Sequence, residues 1–394
     1  MGTTIDIVNI QATLKACGLD AWLLYDFHGS NPIARRIVGL NNYPKLTTRR
    51  WYYLIPAKGI PCSLVHHIEK GTLEHLPGKR RLYADRNQLS IELAELVSGL
   101  KHVAMEYSPH CAIPYLSRVD AGTVDSLRAL NIEVVSSGDL VQEFEATWDL
   151  SALESHYEAA ARLYRIKDRA FSLIQENVSG GNLTEYSVQE RMVNWFTESE
   201  LVSDSPPVVA AANSSADPHY LPTATDHRRI GMNELVLLDL WGKLEKPGAV
   251  FADITWVGYT GKVVPVEYTS VFSIARDARD AAIALISAKT DAGQPLSGWE
   301  VDRAARSVID AAGYADYFIH RTGHSLGEMV HGNGVHMDDY ETHDERRLVT
   351  GTGFTIEPGI YLERFGIRTE INMYIGQGES NVTGPQQQEI IALC

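Results

Sequence analysis

The chain of 394 residues contains only four cysteines, Cys17, Cys62, Cys111 and Cys394, with no CxxC spacing among them. That excludes a zinc–thiolate site and a disulfide framework, and reduced thiols in a cytosolic setting are expected. Long apolar runs are missing as well, because no stretch approaches the roughly 18 residues needed to cross a bilayer. The start, MGTTIDIVNIQATLKACGLDAWLLYDF, has no basic segment leading into an apolar core. No signal peptide is therefore expected, and the expected location is cytoplasmic and away from membranes. Positive charge is scarce: 35 Lys and Arg stand against 50 Asp and Glu, a formal net charge of −15. A nucleic-acid partner would need a basic face for phosphates, so that class is excluded.

What is present is an ordinary globular composition, 44% hydrophobic and 22% charged, in a chain long enough for two domains. Residues 1–148 read as an α/β domain. DAWLLY at Asp20–Tyr25 has strand character, and Arg50–Ile55 and Pro61–His66 flank AKGI as a hairpin. Val103–Tyr107 and Ile132–Val135 add short strands, while Asn87–Leu100 and Ile113–Leu130 carry helical spacing. Residues 149–394 read differently. Helices are expected over Ser151–Asn177 and Thr184–Glu200, then strands through VVAAAN, LVLLDLWG and VFADITWVGYTG. The order then repeats, with helices over Ala275–Ala292 and from the Ser297/Glu300 capping box to Gly313. Strands come next at Ala315–His320, Gly353–Leu362 and Gly366–Ile375. Two halves with one order of elements point to an internal duplication around one site.

Four carboxylates stand in apolar strands of this second part. Asp239 lies in ELVLLDLWG and Asp253 in VFADITWVG, and the turn KLEKPGA makes the two a hairpin. Glu357 lies in FTIEPGIYL and Glu370 in GIRTEINMYI, joined by ERFG. A buried, unpaired carboxylate is costly and demands a cation or several donors. Arg368 shares a strand face with Glu370 and Asn372 and can balance one glutamate, not both. HRTGHSLG offers His324 as a nitrogen ligand, with glycines permitting close backbone approach. Four converging carboxylates repel one another unless cations intervene, and two divalent ions balance them. Oxygen-rich ligation with one imidazole suits manganese, with cobalt, zinc or iron as alternatives.

The ordered string DLWG, ADIT, TGHSLG, IEPGIYL and RTEIN resembles the metallopeptidases of the pita-bread fold, which include aminopeptidase P, prolidase, methionine aminopeptidase and the metal-free creatinase. The resemblance runs from about Trp148 to the end. The first part is similar, more weakly, to the smaller N-terminal domain of the creatinase and prolidase branch. The resemblance implies an α+β pita-bread domain with pseudo-twofold halves behind a smaller α/β domain. It also implies two metal ions held by Asp239, Asp253, His324, Glu357 and Glu370, with Glu357 also serving as base. His219 in ADPHY and His331 match catalytic histidines, Thr255 a position near the attacking water, and Arg368 a substrate-contacting arginine. Two departures stand out. The turn between Asp239 and Asp253 is longer than the family's usual one. VHGNGVHMDDY also aligns through either His331 or His336; spacing from His324 favours His331, and His336 remains a substrate-binding candidate.

The implied activity is removal of an N-terminal residue before proline, from dipeptides or longer peptides, by a homodimer. Hydrolysis of a non-peptide small molecule, as in ectoine-cleaving relatives, and a silent peptide-binding module are the alternatives.

Overall fold

The computed structural model describes residues 5–40 and 47–394; residues 1–4, part of the segment expected to be no signal peptide, lie outside the described residues. The chain divides into two compact units, Met1–Glu145 and Ala146–Cys394.

The first unit is built on strands β1 (Ala21–Asp26), β2 (Trp51–Pro56), β3 (Cys62–His66), β4 (Lys79–Tyr83), β5 (His102–Met105) and β6 (Glu133–Ser136), in the order β4-β3-β2-β1-β5-β6. Its helices are α1 (Ile7–Ala16), α2 (Pro32–Ile37), α3 (Arg86–Leu96), α4 (Ala121–Arg128) and α5 (Gly138–Phe144). Trp22 and Leu24 face α1, α2 and α5, while Ala21, Leu23 and Tyr25 face α3 and α4. Burial on both faces explains why DAWLLY is an unbroken apolar run rather than an alternating one. The helix expected over Ile113–Leu130 is not continuous. Pro114–Leu116 forms a single 3-10 turn, and the N–H groups of Arg118 and Val119 are taken by the Glu106 carbonyl at 2.9 and 3.0 Å. The helix starts only at Ala121, where Asp120 caps it by accepting from Thr123 N at 2.9 Å.

The second unit shows its element order twice. Helices α6 (Leu150–Asn177) and α7 (Glu185–Glu198) lead into β7 (Leu201–Val202), β8 (Val208–Ala211), β9 (Leu235–Leu244) and β10 (Ala252–Tyr259). Helices α8 (Val266–Asp291) and α9 (Gly298–Ala311) then lead into β11 (Ser325–Leu326), β12 (Gly353–Ile356), β13 (Gly359–Leu362), β14 (Phe365–Arg368), β15 (Ile371–Ile375) and β16 (Ser380–Val382). A last strand, β17 (Ile391–Ala392), runs parallel to β10. The β9–β10 hairpin is the hub of this α+β unit. Leu235, Leu237, Val257 and Tyr259 face the core of α8 and α9, whereas Val236, Leu238, Ile254 and Trp256 face α6 and α7.

Three sequence expectations change here. Helix α8 begins nine residues before the expected Ala275, directly after Pro265. The strand expected over Ala315–His320 is a 3-10 turn, Ala315–Tyr317. The Phe318 and His320 carbonyls accept from the Arg306 guanidinium at 2.9 and 2.8 Å. Gly353–Leu362 is two strands, β12 and β13, in different sheets. Pro358 has no N–H for a ladder, so the chain breaks at Glu357–Pro358 and frees Glu357 from the pleat.

Candidate metal centre

Register places the first pair of carboxylates. In the β9–β10 ladder Asp239 lies opposite Thr255, and Asp253 lies opposite Trp241. The two aspartates are therefore diagonal neighbours on one face of the hairpin, the face that carries Leu237 and Val257 further along. The second pair sits where pairing is interrupted. Ile356 pairs with Ile371 and Gly359 with Arg368, so Glu357 and Glu370 occupy the unpaired step between two ladders. Glu357 and Glu370 were each expected inside a strand, but Gly366–Ile375 is split into β14 and β15 just as Gly353–Leu362 is split into β12 and β13, and both glutamates stand at the breaks.

The two hairpins meet edge to edge. Glu370 N donates to Thr255 O at 3.2 Å, and Asp253 N donates to Asn372 Oδ1 at 2.9 Å. Asn372 Nδ2 returns a bond to the Asp253 carbonyl, so one amide grips the backbone of a candidate ligand on both sides. The Thr255 hydroxyl donates to Glu370 Oε2 at 2.6 Å and accepts from Arg368 Nε at 2.9 Å.

His324 enters from the loop before β11. Its N–H bonds the Thr355 hydroxyl at 2.9 Å, and its carbonyl accepts from Thr355 N at 2.9 Å. This lock needs Gly323: a Cβ there would stand 2.0 Å from the Thr355 carbonyl. His324 Nδ1 donates to Ser325 O at 3.2 Å, which leaves Nε2 as the bare nitrogen. Nε2 points at Asp253 Oδ2, 3.5 Å away, and Glu357 Oε1, 3.4 Å away.

A nitrogen lone pair facing two carboxylate oxygens is an arrangement that calls for a cation between them. Asp253, His324 and Glu370 each offer a ligand atom within 4.8 Å of the others. Among the described residues, Asp253 Oδ1 and Glu370 Oε1 are buried without a hydrogen-bond partner. Orphaned acceptors of this kind are costly unless a ligand satisfies them. Burial, followed by repulsion from neighbouring carboxylates, raises Asp253 and Glu370 well above the usual carboxyl range. Burial also raises Asp239 and lifts Glu357 to about 7, while Arg368 pulls both back. Burial and the nearby His331 and Arg321 hold His324 well below the usual imidazole value. The residues present thus fit divalent cations in oxygen-rich ligation with one imidazole.

Arg368 lies inside the cluster, 6% exposed, paired with Asp239 and 4.0 Å from Glu357. Its Nη1 donates to the Tyr361 hydroxyl at 3.2 Å, and that hydroxyl donates to His320 Nε2 at 2.8 Å. His320 and Tyr361 were missed by sequence reasoning, although HRTGH carries two histidines four positions apart. His331 packs edge-on against His324 with ring centroids 4.4 Å apart. His219 is exposed in the turn where its N–H meets Asp217 at 2.9 Å, and its charge acts on His331. His336 is more deeply buried. Its ring is 1% exposed and accepts from Ser325 N at 3.1 Å, and its own N–H bonds Asp344 at 2.9 Å. A ring in that position braces the His324 loop from behind.

Residues 154–377 match metallopeptidase family M24. The chain belongs to that family. Among curated M24-type relatives, the Xaa-Pro dipeptidase of Lactobacillus helveticus is 34% identical over 172 residues, 41% of this chain and 40% of that protein. The Xaa-Pro dipeptidase of Pyrococcus furiosus is 30% identical over 191 residues, 47% of this chain and 48% of that one. The matched segments thus span less than half the length of either relative. Solved structures extend the likeness of fold to the whole chain. Dipeptidase PepE from Mycobacterium ulcerans superposes with a TM-score of 0.73 at 21% identity, covering 99% of this chain and 100% of that one. The prolidase from Thermococcus sibiricus gives 0.66 at 22% identity, with 98% of each chain covered. This M24 chain therefore has the pita-bread fold behind a smaller α/β domain. No helix among its described residues is long and apolar enough to cross a membrane.

Proposed function

We propose that this M24 protein is a dinuclear metallopeptidase that removes the residue preceding proline from dipeptides or short peptides. The observation that carries the reading is the convergence of four carboxylates and one imidazole lone pair, with two buried carboxylate oxygens left unpartnered. Asp239, Asp253, His324, Glu357 and Glu370 would hold two divalent ions, manganese by preference. When bound, such ions lower the pKa of a water molecule and polarise a carbonyl. The proline preference rests on likeness to proteins named as Xaa-Pro dipeptidases and prolidases.

The remaining work falls to the protein's own side chains. Glu357 takes the proton of the attacking water and returns it to the departing nitrogen. Bound cations would hold this buried carboxyl ionised and so ready to accept that proton. His331, edge-on to His324 at the rim, donates to the oxygen that gains charge during attack, and His219 steadies the peptide beside it. Arg368 and Thr255 fix Asp239 and Glu370 so that neither carboxylate turns away.

Manganese-loaded protein with a measured two ions per chain is expected to hydrolyse Gly-Pro or Arg-Pro-Pro. Asp253→Asn should lower both the metal content and kcat/KM, the latter by ~100-fold or more. A fully loaded protein that cleaves neither peptide removes the proline assignment.

A further inference from the structure

Strand alternation puts a third large side chain beside the two aspartates. Trp241 is two residues beyond Asp239 and directly opposite Asp253, so its indole stands on the carboxylate face. The ring is half-buried and propped by the cluster that contains Phe251 and Leu326. Its Nε1 donates to Asp204 Oδ1 at 2.7 Å. Asp204 belongs to the segment between β7 and β8 and is exposed, and its charge acts on His331. Lys243, the next residue on the same face, donates to the Glu328 carbonyl at 2.6 Å.

Resting on the peptidase reading above, we propose that Trp241 and Asp204 form the subsite for the side chain of the substrate's first residue, and that they select a basic one. The chemistry runs from the ends of the site. The substrate's N-terminal amine is placed at the Asp239 and Asp253 end, where carboxylate oxygens accept its N–H bonds, and the imidazoles of His331 and His219 suit the scissile carbonyl and the proline beyond it. The first side chain then lies against Trp241, which borders both aspartates. An arginine or lysine stem covers the apolar indole, and its cation is attracted to the ring face. The indole N–H bonds Oδ1 of Asp204, and this exposed carboxylate beside the ring is the partner for the charged head. A first-residue glutamate meets the same carboxylate as a like charge. Trp241 and Asp204 act on selection, not on the bond broken.

The test compares Arg-Pro, Ala-Pro and Glu-Pro with manganese-loaded wild type, Asp204→Asn, Asp204→Lys and Trp241→Phe. Each result is read as a ratio of kcat/KM within one preparation, so partial folding or partial loading cancels. Wild type should favour Arg-Pro over Glu-Pro, and Asp204→Asn should reduce the Arg-Pro to Ala-Pro ratio about tenfold. Asp204→Lys should invert the order of Arg-Pro and Glu-Pro. Trp241→Phe keeps a ring but loses the N–H, and should erode the Arg-Pro preference without inverting it. Ratios identical in wild type and all variants overturn the subsite while leaving the proline-directed activity intact. Failure of wild type on all three peptides overturns both.

Discussion

His156 shows how much one buried side chain can govern away from the chemistry. Its Nδ1 donates to the Phe251 carbonyl at 2.8 Å, and its Nε2 accepts from the Thr383 hydroxyl at 2.7 Å. Both ring nitrogens are therefore satisfied by the neutral form. Burial holds its pKa at about 4, below the ordinary 6.5. Above pH 6.5 folded and unfolded chains both carry a neutral ring, and below it the unfolded chain takes the proton first. Stability from this group is complete above about 6.5 and is lost as pH falls toward 4, by about 3 kcal/mol at most. His156→Gln keeps one donor and one acceptor without the titration. Urea midpoints between pH 6.5 and 4 should fall less steeply in the variant, and parallel slopes would contradict this account. The carboxylates were legible in the sequence because an aspartate in LVLLDLWG breaks an apolar strand and needs explaining. Trp241 and Asn372 gave no such signal, since an aromatic or an amide in a strand is ordinary until its neighbour across the sheet is known.

At the scale of elements, the site depends on close approach between the His324 loop and β12. Gly323 makes this contact, because any Cβ would strike the Thr355 carbonyl at 2.0 Å. Gly323→Ala should cost about 1–3 kcal/mol by forcing loop and strand apart. It should also reduce bound manganese, because His324 Nε2 moves off line from Asp253 and Glu357. Thermal unfolding with metal analysis of the same sample checks both, and an unchanged metal content would separate the loop from the site. Element types were readable from periodicity, but their ends were set by tertiary partners. The helix begun too early at Ile113 yields to the Glu106 carbonyl, which claims the N–H groups of Arg118 and Val119. The strand drawn through Gly353–Leu362 yields to Pro358. The break is functional, since an uninterrupted pleat would have kept Glu357 in a ladder.

For the whole molecule, the decisive property is that no single segment owns the site. The bonds that join its two hairpins, Thr255 to Glu370 and Asp253 to Asn372, link residues 115 and 119 positions apart in sequence. Closing loops of that length is slow relative to forming a helix or a hairpin. Far-ultraviolet signal from helices such as α6 and α8 should therefore return early in refolding, and manganese capture should come last. Stopped-flow dichroism run beside a metal-indicator assay would show the two phases, and simultaneous recovery would refute the order. The Asn372 grip on Asp253 thus acquires a role in time as well as in space. Until that amide closes, the aspartate pair and the glutamate pair stay apart, and a half-folded copy holds only part of the set that a metal ion needs.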